Sequence, residues 1–226
     1  AQSNISSSGI TETDDLALVI TAANQLSKQF STESVLVVFD LDNTLVSSDM
    51  DFRWLREQIG CPLDKDLLSF VDQLDCEQTS QQANELILQH ELDDANSSHP
   101  MPGCQSLIEF IHSNQLLTAI ITRNCAQAAE QKVSHNALKI PRIITREHFP
   151  PKPAPDSLVS LANEWNLERH QILYVGDYLY DLQAAFNADM PSCLLTHGKP
   201  TDFSAHASLV VEHLHDLEAA FAPFHQ

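Results

Sequence analysis

The chain has 226 residues, and a hydrophobic fraction of 43% gives it the composition of a globular protein with a sizeable core. With 12 basic against 31 acidic side chains, its formal net charge of −19 argues against nucleic acids and anionic membrane surfaces as partners, because both bind basic faces. Its longest apolar runs are also far shorter than the ~20 residues that span a bilayer.

The first part of the chain predicts a helix, a buried strand and a helical insert. Residues 13–30 place apolar side chains at helical spacing behind an acidic start. The run VLVVF at 35–39 is short and rich in β-branched residues, which predicts a strand buried on both faces, as in parallel sheets. Residues 46–99 then show helical patterns at 52–59, 65–74 and 81–92 and no strand-like run, so we interpret this segment as an insert.

Strand-like and helical patterns alternate through the rest of the chain. Apolar runs recur at 117–121, 143–144, 172–175 and 193–195, and helical patterns lie at 104–113, 126–136, 155–165 and 179–188. This alternation predicts an α/β protein with a Rossmann-like parallel sheet covered by helices on both faces. We predict a core formed by 1–45 and 100–226 and a small helical cap domain at 46–99.

Reactive side chains follow the strand-like runs, at the edge where open α/β sheets bind ligands. They are Asp40 and Asp42 after the first run, Thr122, Arg123 and Asn124 after the second, Lys152 beyond the third, and Asp177 and Asp181 after the fourth. Carboxylates from neighbouring strands would form a dense anionic cluster there. A hard cation with oxygen ligands satisfies such a cluster, and Mg²⁺, which also accepts phosphate oxygens, is the expected cofactor.

A cation, a lysine and a hydroxyl around a carboxylate predict phosphoryl transfer with an aspartate nucleophile. Asp40 is the predicted nucleophile, Asp42 the general acid and base, and Lys152 and Thr122 complete the catalytic set. Backbone amides are expected to face the same anion at Leu41, Asp42 and Arg123. A DxD pair or a GDxxxD pattern alone is commonly a solvated turn, so the prediction depends on their joint occurrence in this order.

Four segments resemble the motifs of phosphatases in the haloacid dehalogenase superfamily, in detail those of the phosphoglycolate phosphatase-like subgroup. They are FDLDNTL at 39–45, IITRN at 120–124, PPKPAPD at 150–156 and GDYLYDLQAA at 176–185. The resemblance implies a Rossmann-like core with a helical cap inserted after the first motif. It also implies Mg²⁺ held by the side chains of Asp40 and Asp177 and the carbonyl of Asp42, with Asp181 contributing to the metal shell.

Two positions refine what the resemblance implies. Dehalogenases and phosphonatases look different at the position of Asp42, so phosphatase is favoured over dehalogenase. Most relatives have glycine where this chain has Asn43. Asparagine tolerates left-handed backbone angles, so we expect the turn to be preserved.

The cap is expected to determine substrate specificity, because it contacts the part of the substrate that does not react. Arg53 and Arg56 lie one helical turn apart on the same face. They either bind a second anionic group of the substrate or are surface arginines of a packed helix, and both interpretations remain open. Leu41, Arg123 and Asn124 complete the predicted substrate-binding set.

We predict a Mg²⁺-dependent phosphatase that hydrolyses a small phosphorylated metabolite through an aspartyl-phosphate. Two alternatives remain open: a phosphomutase of the same fold, which passes the phosphoryl group to a sugar, and a non-catalytic phosphate-binding relative. The five cysteines form no CxxC pair and leave one thiol over, which favours a reducing compartment. We therefore expect a cytoplasmic protein, and a monomer or weak dimer.

Overall fold

The computed structural model describes residues 36–221, and the helix predicted at 13–30 lies outside them. Within the described residues a single parallel sheet has the strand order β3-β2-β1-β4-β5-β6. The strands are β1 (Leu36–Phe39), β2 (Thr118–Ile121), β3 (Ile143–Ile144), β4 (Ile172–Gly176), β5 (Ser192–Leu195) and β6 (Leu209–Val211). The α-helices are α1 (Phe52–Ile59), α2 (Leu67–Asp72), α3 (Glu77–Ser97), α4 (Cys104–Ser113), α5 (Ala126–His135), α6 (Asp156–Glu164), α7 (Leu179–Asn187) and α8 (Leu214–Phe221).

The central strand β1 is buried on both faces of the sheet. Val37 and Phe39 belong to the apolar cluster on one face. Leu36 and Val38 belong to the cluster on the other face. Because successive strand residues point to opposite sides, a run without polar residues requires helices above and below the sheet. The predicted α/β fold with a Rossmann-like parallel sheet is confirmed.

The strand register brings the ends of the central strands to one edge of the sheet. Phe39, the last residue of β1, pairs with Ile120 of β2 and with Val175 of β4. The amide of Asp40 donates to the carbonyl of Val175 over 2.9 Å, so the pairing continues one residue past β1. Asp40 and Asp177 therefore emerge side by side at the carboxyl edge, where ligands bind in this class of fold.

The structure has one strand and one helix at its C-terminal end that the sequence pattern does not predict. β6 pairs with β5 in parallel register, with Leu195 opposite Val211. Helix α8 follows β6 and contacts α4, and the hydroxyl of Ser106 donates to Glu218 over 2.8 Å across that contact. β6 has only three residues, which is too short for an apolar run to stand out in the sequence.

The insert (residues 46–99) contains α1, α2 and α3, which pack around a small apolar cluster of their own. Helix α2 starts later than the predicted 65–74, because the carboxylate of Asp66 accepts from the amide of Ser69 over 3.1 Å and fixes the helix start. Helix α3 spans 21 residues and so exceeds the predicted 81–92 at both ends. Within residues 36–221, no helix combines the length and hydrophobicity of a membrane span.

Candidate active site

Three carboxylates meet at the carboxyl edge of β1 and β4. Asp40, Asp177 and Asp181 each place an oxygen within 4.8 Å of the other two. The hydroxyl of Thr44 lies 3.4 Å from Asp40 and 3.5 Å from Asp177. Gly176 permits this approach, because a Cβ at that position would lie 2.4 Å from the side chain of Asp181. Folding therefore concentrates three acids in a space that holds one small cation.

Lys152 supplies a buried positive charge to the acidic cluster. Its Nζ lies 2.8 Å from Asp40 and 2.6 Å from Asp181. The same Nζ reaches the hydroxyl of Tyr174 at 2.7 Å and the carbonyl of Ile121 at 3.1 Å. Burial alone would lower the pKa of Lys152, but the carboxylates of Asp181 and Asp40 outweigh burial and raise it. The lysine is therefore a permanent cation that faces Asp40.

One lysine does not neutralise three acids, and the pKa values of the carboxyls show the imbalance. Burial, followed by repulsion from Asp181, raises the pKa of Asp40 to about 6, although Lys152 acts in the opposite direction. Burial, followed by repulsion from Asp40 and Asp181, raises the pKa of Asp177 to about 9. A divalent cation among the carboxylates would remove the cost of ionising them. The charge and the oxygen donors of the cluster thus fit Mg²⁺.

The three acids differ in how many hydrogen bonds their carboxylate oxygens accept from the protein. Asp181 accepts from Lys152 and from the hydroxyl of Tyr174 with one oxygen, and from the amide of Tyr178 over 3.2 Å with the other. Asp181 therefore orients Lys152, and its two oxygens are already engaged by protein donors. Asp40 and Asp177 are better placed as direct ligands.

Asp42 faces a second hydrogen-bond network, next to the acidic cluster. One of its carboxylate oxygens accepts from Nζ of Lys132 over 2.7 Å, and the other accepts from the side-chain amide of Asn124 over 2.8 Å. Nζ of Lys132 also lies 2.8 Å from Asp94 and 3.1 Å from the side-chain oxygen of Asn124. The residue predicted as general acid is thus held from both sides by buried partners.

The sequence analysis did not single out Lys132 and Asp94. Lys132 is fully buried on α5, on the same helical face as Ala128 and Ala129. Burial alone would lower the pKa of Lys132, but the carboxylates of Asp42 and Asp94 outweigh burial and raise it. In the sequence, Lys132 shares a helical face with small apolar residues, and this position on an apolar face is the signal that could have identified it.

Thr122 and Leu41 lie at the positions that the sequence predicts, beside the two networks. The buried hydroxyl of Thr122 accepts from the backbone amide of Asn124 over 3.1 Å and from its side-chain amide over 2.8 Å. The side chain of Leu41 is fully buried, and its carbonyl accepts from the amide of Leu45 over 3.0 Å in the turn after β1. Asn43 has φ 58° in this turn, the left-handed conformation expected of it.

Arg123 joins the core to the insert at the edge of the site. Its guanidinium lies 2.6 Å from the carboxylate of Asp66, at the start of α2, and 4.8 Å from the ring centre of Tyr180. It also donates to the carbonyl of Lys152. Burial would raise the pKa of Asp66, but the charge of Arg123 outweighs it and lowers the pKa. Arg123 therefore holds the insert against the catalytic edge.

Arg53 and Arg56, the two arginines with two open interpretations, bond to groups within the insert. Arg53 pairs with Glu57 over 3.5 Å, and both side chains are largely exposed. The guanidinium of Arg56 donates to the carbonyls of Pro62 and Lys65, so it closes the loop that follows α1. The described contacts of both arginines thus lie within the insert. Helical spacing predicts that two residues share a face of a helix, but it does not predict what that face packs against.

Residues 37–195 match the family of haloacid dehalogenase-like hydrolases. An uncharacterised hydrolase of Saccharomyces cerevisiae is 31% identical over 166 residues, which cover 70% of this chain and 76% of the yeast protein. The N-acetylmuramic acid 6-phosphate phosphatase of Pseudomonas aeruginosa is 24% identical over 80% of this chain and 92% of its own. The crystal structure of a hydrolase from Pseudomonas syringae superposes with a TM-score of 0.71 at 20% identity, covering 85% of this chain and all of that one.

The match covers the edge of the sheet at which the acidic cluster lies. It begins within β1 and ends with β5, so it includes the three carboxylates, Lys152 and the network around Asp42. On these grounds the chain belongs to the haloacid dehalogenase-like hydrolases.

Proposed function

We propose that the protein is a Mg²⁺-dependent phosphatase that hydrolyses a small phosphomonoester through an aspartyl-phosphate on Asp40. The single observation that supports the proposal best is the position of Asp40, between Lys152 at 2.8 Å and a pair of further acids within 4.8 Å. A carboxylate in that setting is a nucleophile beside two sites of positive charge, the lysine and the cation that the acids require. The phosphatase among the relatives is consistent with this chemistry.

In the first half-reaction, a carboxylate oxygen of Asp40 attacks the phosphorus of the substrate. The bond from phosphorus to the leaving oxygen breaks, and Asp42 donates a proton to that oxygen, so an alcohol departs. Lys152 holds Asp40 in place and offsets the negative charge that gathers at the phosphoryl group. The hydroxyl of Thr122 accepts twice from Asn124, which leaves its hydrogen directed elsewhere, to a phosphoryl oxygen.

In the second half-reaction, water attacks the phosphorus of the aspartyl-phosphate. Asp42, now a carboxylate, accepts a proton from this water, and the bond between phosphorus and the Asp40 oxygen breaks. Inorganic phosphate leaves, and both aspartates return to their starting state. The same residue therefore serves as acid in one step and as base in the next.

Asp40, Asp177 and the carbonyl of Asp42 are the groups proposed to hold Mg²⁺. When bound, the cation supplies positive charge that lets the carboxylate of Asp40 and an anionic phosphate approach each other. The insert covers this edge through Arg123 and Asp66, which favours a small metabolite as substrate because a bulky one would have to separate that pair.

The test is turnover of p-nitrophenyl phosphate and of a panel of phosphorylated metabolites with Mg²⁺ and with EDTA. We expect Asp40→Asn to abolish turnover while circular dichroism and the melting temperature show an intact fold. Asp93→Asn is the matched control, because Asp93 is an exposed aspartate on α3 and undergoes the same change. Activity retained by Asp40→Asn would overturn the mechanism, and activity undiminished by EDTA would overturn the metal assignment.

Product analysis separates the proposal from its alternatives. Release of inorganic phosphate in equal amount to alcohol supports a phosphatase, whereas transfer to an added sugar phosphate supports a phosphomutase. Binding of phosphate without turnover of any ester supports a non-catalytic relative. We further propose that the protein works in the cytoplasm as a monomer or weak dimer, and its five cysteines are all free thiols.

A further inference from the structure

We propose that Lys132 is the positioning residue for Asp42, holding its carboxyl group where it can give a proton to the leaving oxygen and later accept one from water. This inference rests on the proposed function and adds to it a residue from outside the four motifs. Lys132 lies on α5, ten residues after Thr122.

The ammonium group of Lys132 has three hydrogens, and three side chains accept them. The acceptors are Asp42 at 2.7 Å, Asp94 at 2.8 Å and the side-chain oxygen of Asn124 at 3.1 Å. Asn124 in turn donates to the other oxygen of Asp42 over 2.8 Å and to the hydroxyl of Thr122 over 2.8 Å. Lys132, Asp42 and Asn124 therefore form a closed ring of three hydrogen bonds, in which Lys132 and Asn124 donate to the two different oxygens of Asp42.

Removing the ammonium group of Lys132 would leave the side chains of Asp42 and Asp94 facing each other without the cation between them. Asp42 and Asp94 both bond to Lys132, so they would lose their shared cation and repel each other. The side chain of Asp94 is fixed by the hydroxyl of Ser48 at 2.8 Å and the amide of Asp49 at 2.7 Å. Asp42 is about a quarter exposed and would keep the bond from Asn124 on one side, so it is the carboxylate with more room to rotate away. A catalytic group displaced by about 1 Å loses on the order of 10²-fold in rate.

The network also makes the orientation of Asp42 depend on the insert. Asp94 lies on α3, which packs against α5, and it bonds to the same Nζ of Lys132 as Asp42 does. One of the three bonds that hold the ammonium therefore forms only when α3 is seated against the core. Asp42 is held in its working orientation by the same contact that seats the insert.

The experiment compares two substrates that differ in their need for a proton. An alkyl phosphate needs its leaving oxygen protonated, whereas 2,4-dinitrophenyl phosphate does not. We expect Lys132→Met to lower kcat/KM about 10²-fold on the alkyl phosphate and less than about threefold on the dinitrophenyl ester, because kcat/KM reports the steps up to formation of the aspartyl-phosphate, before Asp42 acts as a base. In an Asp42→Asn background the same substitution is expected to cost less than about threefold on either substrate, because the group that it positions is gone.

The matched control is Arg146→Met. Arg146 forms a further, partly buried ion pair between core and insert, with Glu91 on α3, and has no described contact with Asp42. A general weakening of the insert would affect both substrates equally in this variant. If Lys132→Met does not fold, the charge-balanced double variant Lys132→Met/Asp94→Asn, which removes a cation and an anion together, is measured in its place.

Three results would overturn the inference, and the third is distinguishable from the first two. Equal losses on both substrates in a folded Lys132 variant, or a full further loss in the Asp42→Asn background, would overturn the positioning role alone. A wild-type protein that hydrolyses neither ester would overturn the proposed function and the positioning role together. Selective loss on the alkyl phosphate, absent from Arg146→Met, supports the inference.

Discussion

The acidic cluster predicts that the metal-free protein loses stability as the pH rises and that Mg²⁺ reverses this loss. In the folded chain, burial and neighbouring acids raise the pKa of Asp177 from its ordinary 3.8 to about 9. Between those two values the folded state keeps a proton that the unfolded chain has released. Folding then takes up protons, so stability is greatest at low pH and falls as the pH rises toward 9.

The magnitude follows from the number of protons retained. Asp40, with its pKa raised from 3.8 to about 6, contributes a loss on the order of 3 kcal/mol between those pH values. Of these two acids, Asp177 alone is still protonated in the folded state above pH 6. The free energy of unfolding therefore falls by about 1.4 kcal/mol per pH unit until pH 9. For a chain of this size, that slope corresponds to roughly 3–6 °C in Tm per pH unit.

The assay is thermal unfolding between pH 6 and 9 in EDTA and in saturating Mg²⁺. We expect Tm to fall with pH in EDTA and to stay level in Mg²⁺, because the cation displaces the proton of Asp177. Asp177→Asn is expected to show no such slope in EDTA and little response to Mg²⁺. A wild-type Tm in EDTA that is flat across this range, or a slope that survives in Asp177→Asn, would refute the reasoning.

Three further substitutions test other parts of the account. Asp42→Asn should lower kcat/KM about 10²–10⁴-fold on alkyl phosphates and far less on 2,4-dinitrophenyl phosphate, and equal losses in kcat/KM would count against its acid role. Gly176→Ala should displace the side chain of Asp181, since its Cβ would lie 2.4 Å away, and denaturant unfolding should show a loss of about 1–3 kcal/mol together with weaker Mg²⁺ binding by calorimetry. Arg56→Ala should lower the free energy of unfolding by about 1–2 kcal/mol through loss of its bonds to loop carbonyls. It should leave the order of kcat/KM across a phosphate panel unchanged, and a reordered panel would support a role in anion binding.

The central sheet and its acids could be predicted because each acid directly follows an apolar run that the local sequence identifies as a strand. The run before Asp40 has no polar residue over four buried positions, which only a strand covered on both faces tolerates. Parallel strands share a carboxyl edge, so the placement of Asp40 near Asp177 followed without knowledge of the loops. Lys152 was recognisable from its motif, although its four partners come from distant parts of the chain.

The local pattern marks Lys132 as a candidate but does not give its partners in the network around Asp42. Lys132 lies on a helix whose other buried residues are small, and a polar residue in such a helix ordinarily faces solvent. Its burial is stabilised by Asp94, which is 38 residues away on a helix of the insert. Only the packing of α3 against α5 brings the two charges together.

The arginines of the insert show how a local pattern leaves two interpretations open. Arg53 and Arg56 share a helical face, but the direction of that face depends on how α1 packs in the insert. The carbonyls of the following loop lie close enough to satisfy Arg56. Helix α2 starts late for a similar local reason, because Asp66 caps it.

Trapping the covalent intermediate tests the central claim most directly. The protein is mixed with a phosphomonoester and Mg²⁺, quenched in acid within the first turnover and reduced with borohydride, which converts an aspartyl-phosphate to homoserine. We predict that mass spectrometry of the peptides finds homoserine at position 40 only when substrate is present, and never in Asp40→Asn. Steady turnover with no homoserine at that position, or with homoserine at another aspartate, would contradict the account.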